Sequence, residues 1–448
     1  MTDLHGDQHD GWMPLTLAQL DFWEEFCFHS DKPISTVAHY VTIDGLADPA
    51  ALAEAISRTI AEADALSLRF KELPDGRVRQ RHDSAYAPRL AQFDLRDEPD
   101  PDGTAMARMR GDFEAVLDLR RDPLSVQWLF RTGEARWIWY NRGHHAVLDG
   151  YSMLLLEQRC ARLYRHLTGK GPAGDPFLPF ARFIEEDQAY AQGSRFPKDR
   201  DYWAGYLSGE LSFPVLKKGG EDYGIDGLTA FCALPEDFPQ RMKSCAERLK
   251  TGWPDLLVLL AGAYLARRLP YSGAALPLWL PYMSRLGSAA AMIPSLAVNI
   301  LPLLVDVPDN ETLEDHVARL SGDLRSLRKH GRYRVEQLAA DRGIGEGSRF
   351  FFSPLVNLLP FDPPEFDGCI CERHVLSNGP ADGFNITFRS GGDGGGMSLY
   401  LEADPTMTSA TEFDRHCRDL PAFLSRALDP ANAARAIVAL LDEEPAPA

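Results

Sequence analysis

A short polar loop between two apolar elements constrains this chain more than any other feature. Residues 137–140 form an aromatic and β-branched run that is typical of a buried strand. Residues 152–159 are rich in leucine and in good helix formers. The loop between them carries two adjacent histidines, an aspartate and a glycine: His144, His145, Asp149 and Gly150. Because loops on a rigid scaffold often hold reactive side chains, we predict a functional site here.

The chemistry of the loop follows from the residue types. Adjacent histidines in a turn face different ways, so we expect one to point into a cleft and the other into the protein. Gly150 can bring a backbone N–H close to a ligand. The helix that follows would direct its first N–H groups toward the site, which favours developing negative charge. A metal site would need a further cluster of ligands at metal spacing, and the sequence has none, so no metal is expected.

Length, charge and cysteine content limit the class of protein. The chain has 448 residues, enough for two to three domains or for one enzyme of two lobes. Its net charge of −18 argues against nucleic acid and anionic membranes as partners, and is compatible with cationic small molecules, although ordinary solubility explains it equally well. Seven scattered cysteines without a CxxC pair indicate reduced thiols. With no signal peptide or transmembrane segment recognisable, we expect a cytoplasmic protein.

The hydrophobic patterning alternates between strand and helix periods, which predicts an α/β fold. In the first half, Thr16 is placed as a helix N-cap, and Asp48 has the position of another. Predicted helices of the first half cover residues 48–60, 108–121 and 180–192, and a flexible charged connection covers 216–222. Predicted helices of the second half cover residues 252–268, 312–330 and 414–427. A hairpin is predicted at 383–389 and 397–402, around a glycine-rich turn.

The loop sequence His144-His-Ala-Val-Leu-Asp-Gly150 matches the HHxxxDG motif of nonribosomal peptide synthetase condensation domains and of chloramphenicol-acetyltransferase-like acyltransferases. The resemblance extends over essentially the whole chain. It is closest to freestanding condensation enzymes of catechol siderophore assembly, of the vibriobactin amide synthase type. The segments that carry this closer resemblance are residues 252–255, 279–281, 283–288, 330–337 and 354–361. We find no carrier-protein or adenylation motif, so we expect a single freestanding module.

The resemblance implies two chloramphenicol-acetyltransferase-like lobes that form a V-shaped pseudo-dimer, with the active site at the lobe interface. We expect the N-terminal lobe, with the HHxxxDG motif, at residues 12–195 and the C-terminal lobe at 196–448. Residues 1–11 are expected to be a disordered tail.

The resemblance also implies acyl transfer, in which an amine attacks a thioester. His145 is expected to face the cleft and either to accept the ammonium proton or to orient the amine, while His144 supports the loop. The Gly150 N–H is the expected oxyanion donor. Asp149 is expected to pair with Arg285 and to hold the loop rather than to take part in the chemistry.

The resemblance also implies substrate-binding roles for further side chains, and for each of them a purely structural role is the alternative. Asn357 is expected either to contact the acceptor or to satisfy its strand neighbours. Trp279 is expected to form apolar wall or, preferably, core. A basic cluster is either a docking face for an acidic carrier protein or a solvated helix face: Arg325, Arg328, Lys329, Arg332 and Arg334.

The implied function is that of a condensation enzyme. It would transfer an aryl acyl group, 2,3-dihydroxybenzoyl in type, from the phosphopantetheine thioester of an aryl carrier protein to a soluble amine such as a polyamine. No bound cofactor is expected, and we expect a monomer. Ester formation, peptide formation and acyl-CoA-dependent transfer remain open. A recruitment domain without activity is disfavoured because the motif is intact, and cyclisation chemistry is excluded because such domains carry aspartates at the histidine positions.

Overall fold

Two mixed sheets organise the molecule, one built mainly from each half of the chain. The computed structural model describes residues 11–208, 217–218, 227–271, 273–344, 350–378 and 382–443. The strands of the first half are β1 (Met13–Pro14), β2 (Thr36–Gly45), β3 (Leu68–Glu72), β4 (Val78–His82), β5 (Ala91–Asp94), β6 (Ser125–Gly133) and β7 (Arg136–His144). Its helices are α1 (Leu17–Phe28), α2 (Pro49–Glu62), α3 (Pro101–Phe113), α4 (Gly150–Leu167), α5 (Phe180–Gln192) and α6 (Arg195–Tyr206).

The second half repeats a strand-and-helix pattern. Its strands are β8 (Lys217–Lys218), β9 (Leu228–Cys232), β10 (Leu276–Tyr282), β11 (Asn299–Val305), β12 (Phe350–Phe351), β13 (Leu355–Pro360), β14 (Cys369–Asn378), β15 (Phe384–Ser390) and β16 (Ser398–Ala403). Its helices are α7 (Phe238–Arg248), α8 (Trp253–Arg268), α9 (Leu313–Lys329), α10 (Val335–Asp341), α11 (Ala410–Ala427) and α12 (Ile437–Asp442).

The sheets define the two lobes. The C-terminal sheet has six strands in the order β11-β10-β13-β15-β16-β9, and the N-terminal sheet has five in the order β14-β2-β7-β6-β5. The fold is therefore α/β with two chloramphenicol-acetyltransferase-like lobes, as expected from the sequence. Each lobe packs helices on its sheet around its own apolar core.

One strand corrects the expected domain division. β14 belongs to the second half of the chain but pairs antiparallel with β2 of the N-terminal sheet, from Cys369 opposite Gly45 to Asn378 opposite Val37. Without β14, strand β2 would present an unpaired row of backbone groups at the sheet edge. A single boundary between residues 195 and 196 is therefore wrong for this segment, because the chain crosses from one lobe to the other.

Local start signals explain both the correct and the incorrect helix predictions. Thr16 caps α1 with a capping box, in which the Gln19 N–H donates to the Thr16 Oγ1 (3.2 Å) and the Thr16 N–H donates to the Gln19 Oε1 (3.0 Å). Asp48 caps α2. The helix predicted at 108–121 instead spans α3, because Asp100 caps it and Pro101 occupies its first turn.

One further predicted helix and the predicted hairpin are present in the structure. Helix α5 has the predicted bounds, and the hairpin is formed by β15 and β16. Residues 1–10 of the expected tail, and all of the connection at 216–222 except 217–218, lie outside the described residues. In the part of the chain that the structure describes, no helix combines the length and apolar character needed to cross a bilayer.

Candidate active site

The histidine loop begins later than the sequence suggests, because strand β7 continues through His144. The next backbone N–H, that of His145, donates to the Ser35 carbonyl oxygen (2.8 Å) and leads the chain away from the strand. Ala146, Val147 and Leu148 then fill the interior with no exposed surface. A Cβ atom on Gly143 would lie 2.5 Å from the Leu148 Cδ1, so a larger residue here would have to displace the buried Leu148 side chain.

His144 points into the protein. Its side chain is buried, and its Nδ1 accepts a hydrogen bond from the Ala146 N–H at 3.0 Å. Burial lowers the pKa of His144 to about 3, and the neighbouring His145 and Arg142 charges add to this effect. His144 is therefore neutral at physiological pH and is placed to hold the loop.

His145 faces the opposite way and lines the central cavity. The Phe22 ring from α1 stacks on its imidazole, with 5.4 Å between centroids and an interplanar angle of 14°. Its Nδ1 lies 3.2 Å from the Leu148 carbonyl oxygen. Because a carbonyl oxygen only accepts, this contact places the proton on Nδ1, and in neutral imidazole Nε2 is then the basic nitrogen.

Asp149 links the two lobes from a buried position. It caps α4, where its Oδ1 accepts from the Ser152 N–H at 2.9 Å. The Arg285 Nη2, from the other lobe, lies 2.8 Å from the Asp149 Oδ1 and 2.9 Å from its Oδ2. The Ala297 and Val298 N–H groups also donate to the Oδ2, at 3.0 and 2.9 Å. Burial alone would raise the pKa of Asp149, but the Arg285 charge and these N–H donors outweigh it and lower the pKa.

Arg285 is held as firmly as its partner. Its Nη1 donates to the Ala290 and Ile293 carbonyl oxygens, and its Nη2 donates to the Ser295 carbonyl oxygen at 2.7 Å. The Ser152 hydroxyl donates to the same Ser295 oxygen (2.6 Å) and accepts from the Ser295 N–H (2.8 Å). The pair of Asp149 and Arg285 therefore fixes the histidine loop against the C-terminal lobe, as the family resemblance implies.

The cavity beside His145 has a volume of about 1030 Å³ and lies between the lobes. Helix α1 and strand β2 contribute to its N-terminal wall, and strands β13, β15 and β16 form its C-terminal wall. Gly150, the first residue of α4, also lines it. The Gly150 N–H precedes the first hydrogen bond within α4, so it is available to an oxygen atom in the cavity.

The two expected substrate-binding side chains have different positions. Asn357 on β13 lines the cavity. Trp279 does not, because it is completely buried in the C-terminal core, where its ring packs against Phe352 with 5.1 Å between centroids. The expectation that Trp279 binds substrate is therefore wrong, and its side chain instead packs in the apolar core.

The expected basic cluster is not one continuous face. Arg328 pairs with Asp255 (Nη1 to Oδ2, 2.9 Å), and Arg332 pairs with Glu186 (Nη2 to Oε1, 2.8 Å). Arg334 lines the cavity and holds the Glu336 carboxylate through two nitrogens. Arg325 and Lys329 remain on the exposed face of α9. Three of the five cations are therefore engaged in ion pairs, and a docking role for this cluster stays a prediction.

The sequence analysis missed a buried cluster beside the cavity. The Arg373 Nε, from β14, donates to the Glu157 Oε2 of α4. The His39 Nδ1 on β2 lies 3.5 Å from the Glu157 Oε1. His39 and Arg373 both line the cavity. Their sequence separation hid the cluster, and the one local signal was an acidic residue within the leucine-rich run of α4.

The polar groups of the site suit the positioning of reactants and the stabilisation of charge. Among the residues described above, no group of three or more His, Cys, Asp or Glu side chains has the geometry to hold a metal ion. The His145 imidazole and the N-terminus of α4 lie together on a cleft between the lobes. This arrangement can position a nucleophile and stabilise an oxyanion.

The chain is similar to segments of curated nonribosomal peptide synthetases. The dimodular nonribosomal peptide synthase of Bacillus subtilis (strain 168) is 31% identical over 413 residues, which is 92% of this chain and 17% of that protein. Enterobactin synthase component F of Escherichia coli O157:H7 is 31% identical over 433 residues, covering 94% of this chain and 33% of that protein. The chain thus spans about a third or less of the length of these relatives.

Solved structures and a family model agree with this result. The crystal structure of VibH, a nonribosomal peptide synthetase condensation enzyme, has a TM-score of 0.85 and 31% identity, and the match covers 96% of this chain and 100% of VibH. The starter condensation domain of rhizomide synthetase, in complex with C8-CoA, has a TM-score of 0.81 and 27% identity over 95% of this chain and 96% of that one. The condensation domain model matches residues 9–366. The chain therefore belongs to the condensation domain family, the amide-forming acyltransferases of nonribosomal peptide synthetases.

Proposed function

We propose that this protein transfers an aryl acyl group, 2,3-dihydroxybenzoyl in type, from the phosphopantetheine thioester of an aryl carrier protein to a soluble polyamine-like amine. The observation that carries this proposal is His145, which lines a cleft between two lobes with its tautomer set by the Leu148 carbonyl oxygen. Support for a condensation enzyme comes from the likeness to VibH, and support for the siderophore context comes from the likeness to enterobactin synthase component F.

The reaction needs only modest help from the protein, because a thioester is already activated. The neutral amine attacks the carbonyl carbon, and the His145 Nε2 accepts the proton that the nitrogen loses or orients its lone pair. The developing oxyanion lies near the Gly150 N–H at the positive end of α4. The tetrahedral intermediate then releases the thiolate, which takes up a proton, and the amide remains.

The negative net charge of the protein supports a cationic acceptor. The net charge of −18 attracts small cations, and a cleft with low-dielectric walls focuses that field. Cavity-lining carboxylates add a local negative component. A polyamine can approach through solvent, without a carrier of its own.

One specific observation favours a second candidate, transfer from an acyl-CoA. The similar rhizomide synthetase domain was solved in complex with C8-CoA. CoA and a carrier protein present the same phosphopantetheine arm, so the same cleft would accept either. Ester formation would use the same site with an alcohol as nucleophile.

A direct competition tests the proposal. The enzyme is supplied with aryl-loaded carrier protein as donor and with spermidine, norspermidine, a diamine and a carrier-bound amino acid as acceptors. Mass spectrometry of the products should show amides of the free polyamines. A parallel reaction with the matching aryl-CoA measures the second candidate.

Two results would contradict the proposal. Acylation of the carrier-bound amine alone would identify an ordinary peptide-forming condensation domain. Faster turnover with aryl-CoA than with aryl-loaded carrier protein would favour the CoA-dependent acyltransferase.

A further inference from the structure

The C-terminal sheet turns a polar face toward the cavity. Residues of β13, β15 and β16 alternate between two faces, as strand geometry requires. The core face carries Val356, Ile386, Phe388, Leu399, Leu401 and Ala403. The cavity face carries Asn357, Asn385, Thr387, Arg389, Tyr400 and Glu402. Core packing does not require this second set, which indicates a surface adapted to a polar ligand.

The strand register places several of these polar side chains side by side. Asn385 lies directly opposite Glu402, and Thr387 lies opposite Asn357 on one side and Tyr400 on the other. Neighbouring strands are about 4.8 Å apart, and successive residues on one face are about 7 Å apart. A single small ligand can therefore contact Glu402, Asn385 and Thr387 together.

Glu402 differs from the other carboxylates of the cavity wall. Asp149 is paired with Arg285, and Glu336 is paired with Arg334. Glu402 is half-buried and makes no hydrogen bond or ion pair with any residue in the described ranges.

Arg389, the cation whose charge acts on Glu402, does not form an ion pair with it. The Arg389 guanidinium lies over the Tyr400 ring, with its Cζ 4.4 Å from the centroid. Burial raises the pKa of Glu402, and the Arg389 charge only opposes that shift. A half-buried carboxylate without a partner is costly unless a cation joins it.

We propose that Glu402 binds a protonated amino group of the acceptor amine, with the Asn385 amide oxygen and the Thr387 hydroxyl as further acceptors. An ammonium group has three N–H donors, which match these three oxygens. The inference rests on the proposed function and deepens it, because it specifies how the cleft distinguishes a polyamine from a simple alkylamine. The charged nitrogen is held on the C-terminal sheet while a second, neutral nitrogen of the same molecule attacks the thioester.

A binding experiment tests this site without requiring turnover. Isothermal titration calorimetry measures spermidine binding to the wild type, to Glu402→Gln and to the matched control Asp323→Asn. Asp323 lies half-buried on α9 outside the cavity wall, and its replacement removes the same single charge from the chain. We expect Glu402→Gln to raise the Kd at least about tenfold, a range seen for close charge pairs, and Asp323→Asn to leave it unchanged.

Kinetics provide a second readout. Glu402→Gln should raise the KM for spermidine while leaving the KM for butylamine and for the acyl donor unchanged. Equal spermidine affinity in all three proteins, or an equal loss in both variants, would overturn the proposal. Failure of the proposed function is a separate outcome, in which the wild type binds spermidine through Glu402 but forms no amide.

Discussion

His145 is the residue on which the proposed chemistry depends most directly. It lines the cavity, and its contacts with Phe22 and with the Leu148 carbonyl oxygen fix its ring. We expect His145→Ala to fold normally and to lose activity by about 10² to 10⁴, the usual effect of removing a general base. The measurement is the initial rate of amide formation, with the melting temperature as a check on folding.

His166→Ala is the matched control for that prediction. His166 lies exposed on the same helix, α4, and is not part of the cavity wall. It should retain full activity. A loss in His145→Ala well below a hundredfold would assign His145 to positioning the amine, and an unchanged rate would remove it from the mechanism.

A substitution at Gly150 can distinguish an effect on folding from an effect on substrate binding. A Cβ atom at Gly150 would meet no heavy atom within 4 Å, and its backbone lies outside the left-handed region. The fold therefore tolerates alanine, but the new methyl group would lie beside the proposed oxyanion position. We expect Gly150→Ala to keep its melting temperature and to lose kcat/KM by about 10-fold to 100-fold, because small misplacements of a substrate are costly.

Gly111→Ala controls for the substitution itself. Gly111 lies in α3, where an added Cβ also meets nothing within 4 Å, and it does not line the cavity. Unchanged kcat/KM in this variant is expected. An unfolded Gly150→Ala protein, or a fully active one, would contradict the interpretation of Gly150 as a glycine required by the substrate.

At this scale, the motif predicted the orientation of both histidines and the partner of Asp149. It could not predict the Phe22 stack or the cluster of His39, Glu157 and Arg373. Those contacts join residues from different elements, and only the folded arrangement brings them together. The position of Trp279 was ambiguous because a tryptophan on an apolar strand fits both a core and a cleft wall.

At the scale of elements, the start of α4 is held by one buried ion pair. Asp149 caps the helix and receives Arg285 from the other lobe. Arg285→Ala would leave the buried carboxylate with its N–H donors but without its counter-charge, and breaking a buried pair on one side costs about 3–5 kcal/mol of unfolding free energy. Urea unfolding measures this loss, and a reduction in activity should accompany it because the histidine loop is then released.

Arg58→Ala is the comparison for Arg285→Ala. Arg58 pairs with Glu54 at 2.7 Å, but their side chains are 47% and 50% exposed. Such surface pairs contribute about 0–1 kcal/mol. Similar stability of the two variants would show that the pair of Asp149 and Arg285 does not hold the loop.

The same pair predicts a pH dependence with a definite sign. The folded-state pKa of Asp149 lies below its ordinary value of 3.8, because the Arg285 charge and the N–H donors outweigh burial. The charged carboxylate therefore contributes stability above about pH 4, and this contribution is lost as the pH falls through the folded-state pKa. The difference in unfolding free energy between the wild type and Asp149→Asn should be largest near neutral pH and should narrow in acid. A constant difference would contradict this assignment.

Element prediction from the sequence succeeded where local signals were complete. The caps of α1 and α2 were visible in the sequence, and each helix begins where they indicate. The start of α3 was missed because its signal, Asp100 followed by Pro101, precedes the periodic apolar residues. Strand β7 was predicted too short because its polar last residues pair on both sides inside a sheet.

At the scale of the whole molecule, the lobes are joined more extensively than two successive domains would be. The N-terminal core includes Ile293 and Phe366 from the second half of the chain. The Ser152 Oγ of α4 donates to the Ser295 carbonyl oxygen of the C-terminal lobe at 2.6 Å. The sequence could not reveal the crossover of β14, because a strand that alternates in polarity does not specify which sheet it joins.

This crossover predicts that the N-terminal lobe does not fold alone. A fragment of residues 12–195 lacks β14, so β2 becomes an open edge, and it also lacks Phe366 in its core and Arg285 beside Asp149. We expect circular dichroism and amide dispersion in NMR to show an unfolded or aggregated fragment, while the whole chain unfolds in one calorimetric transition. Fusing residues 364–378 to the fragment through a flexible linker restores the edge strand and Phe366, so it should increase strand content. A bare fragment with a cooperative transition would show instead that the two lobes are independent folding units.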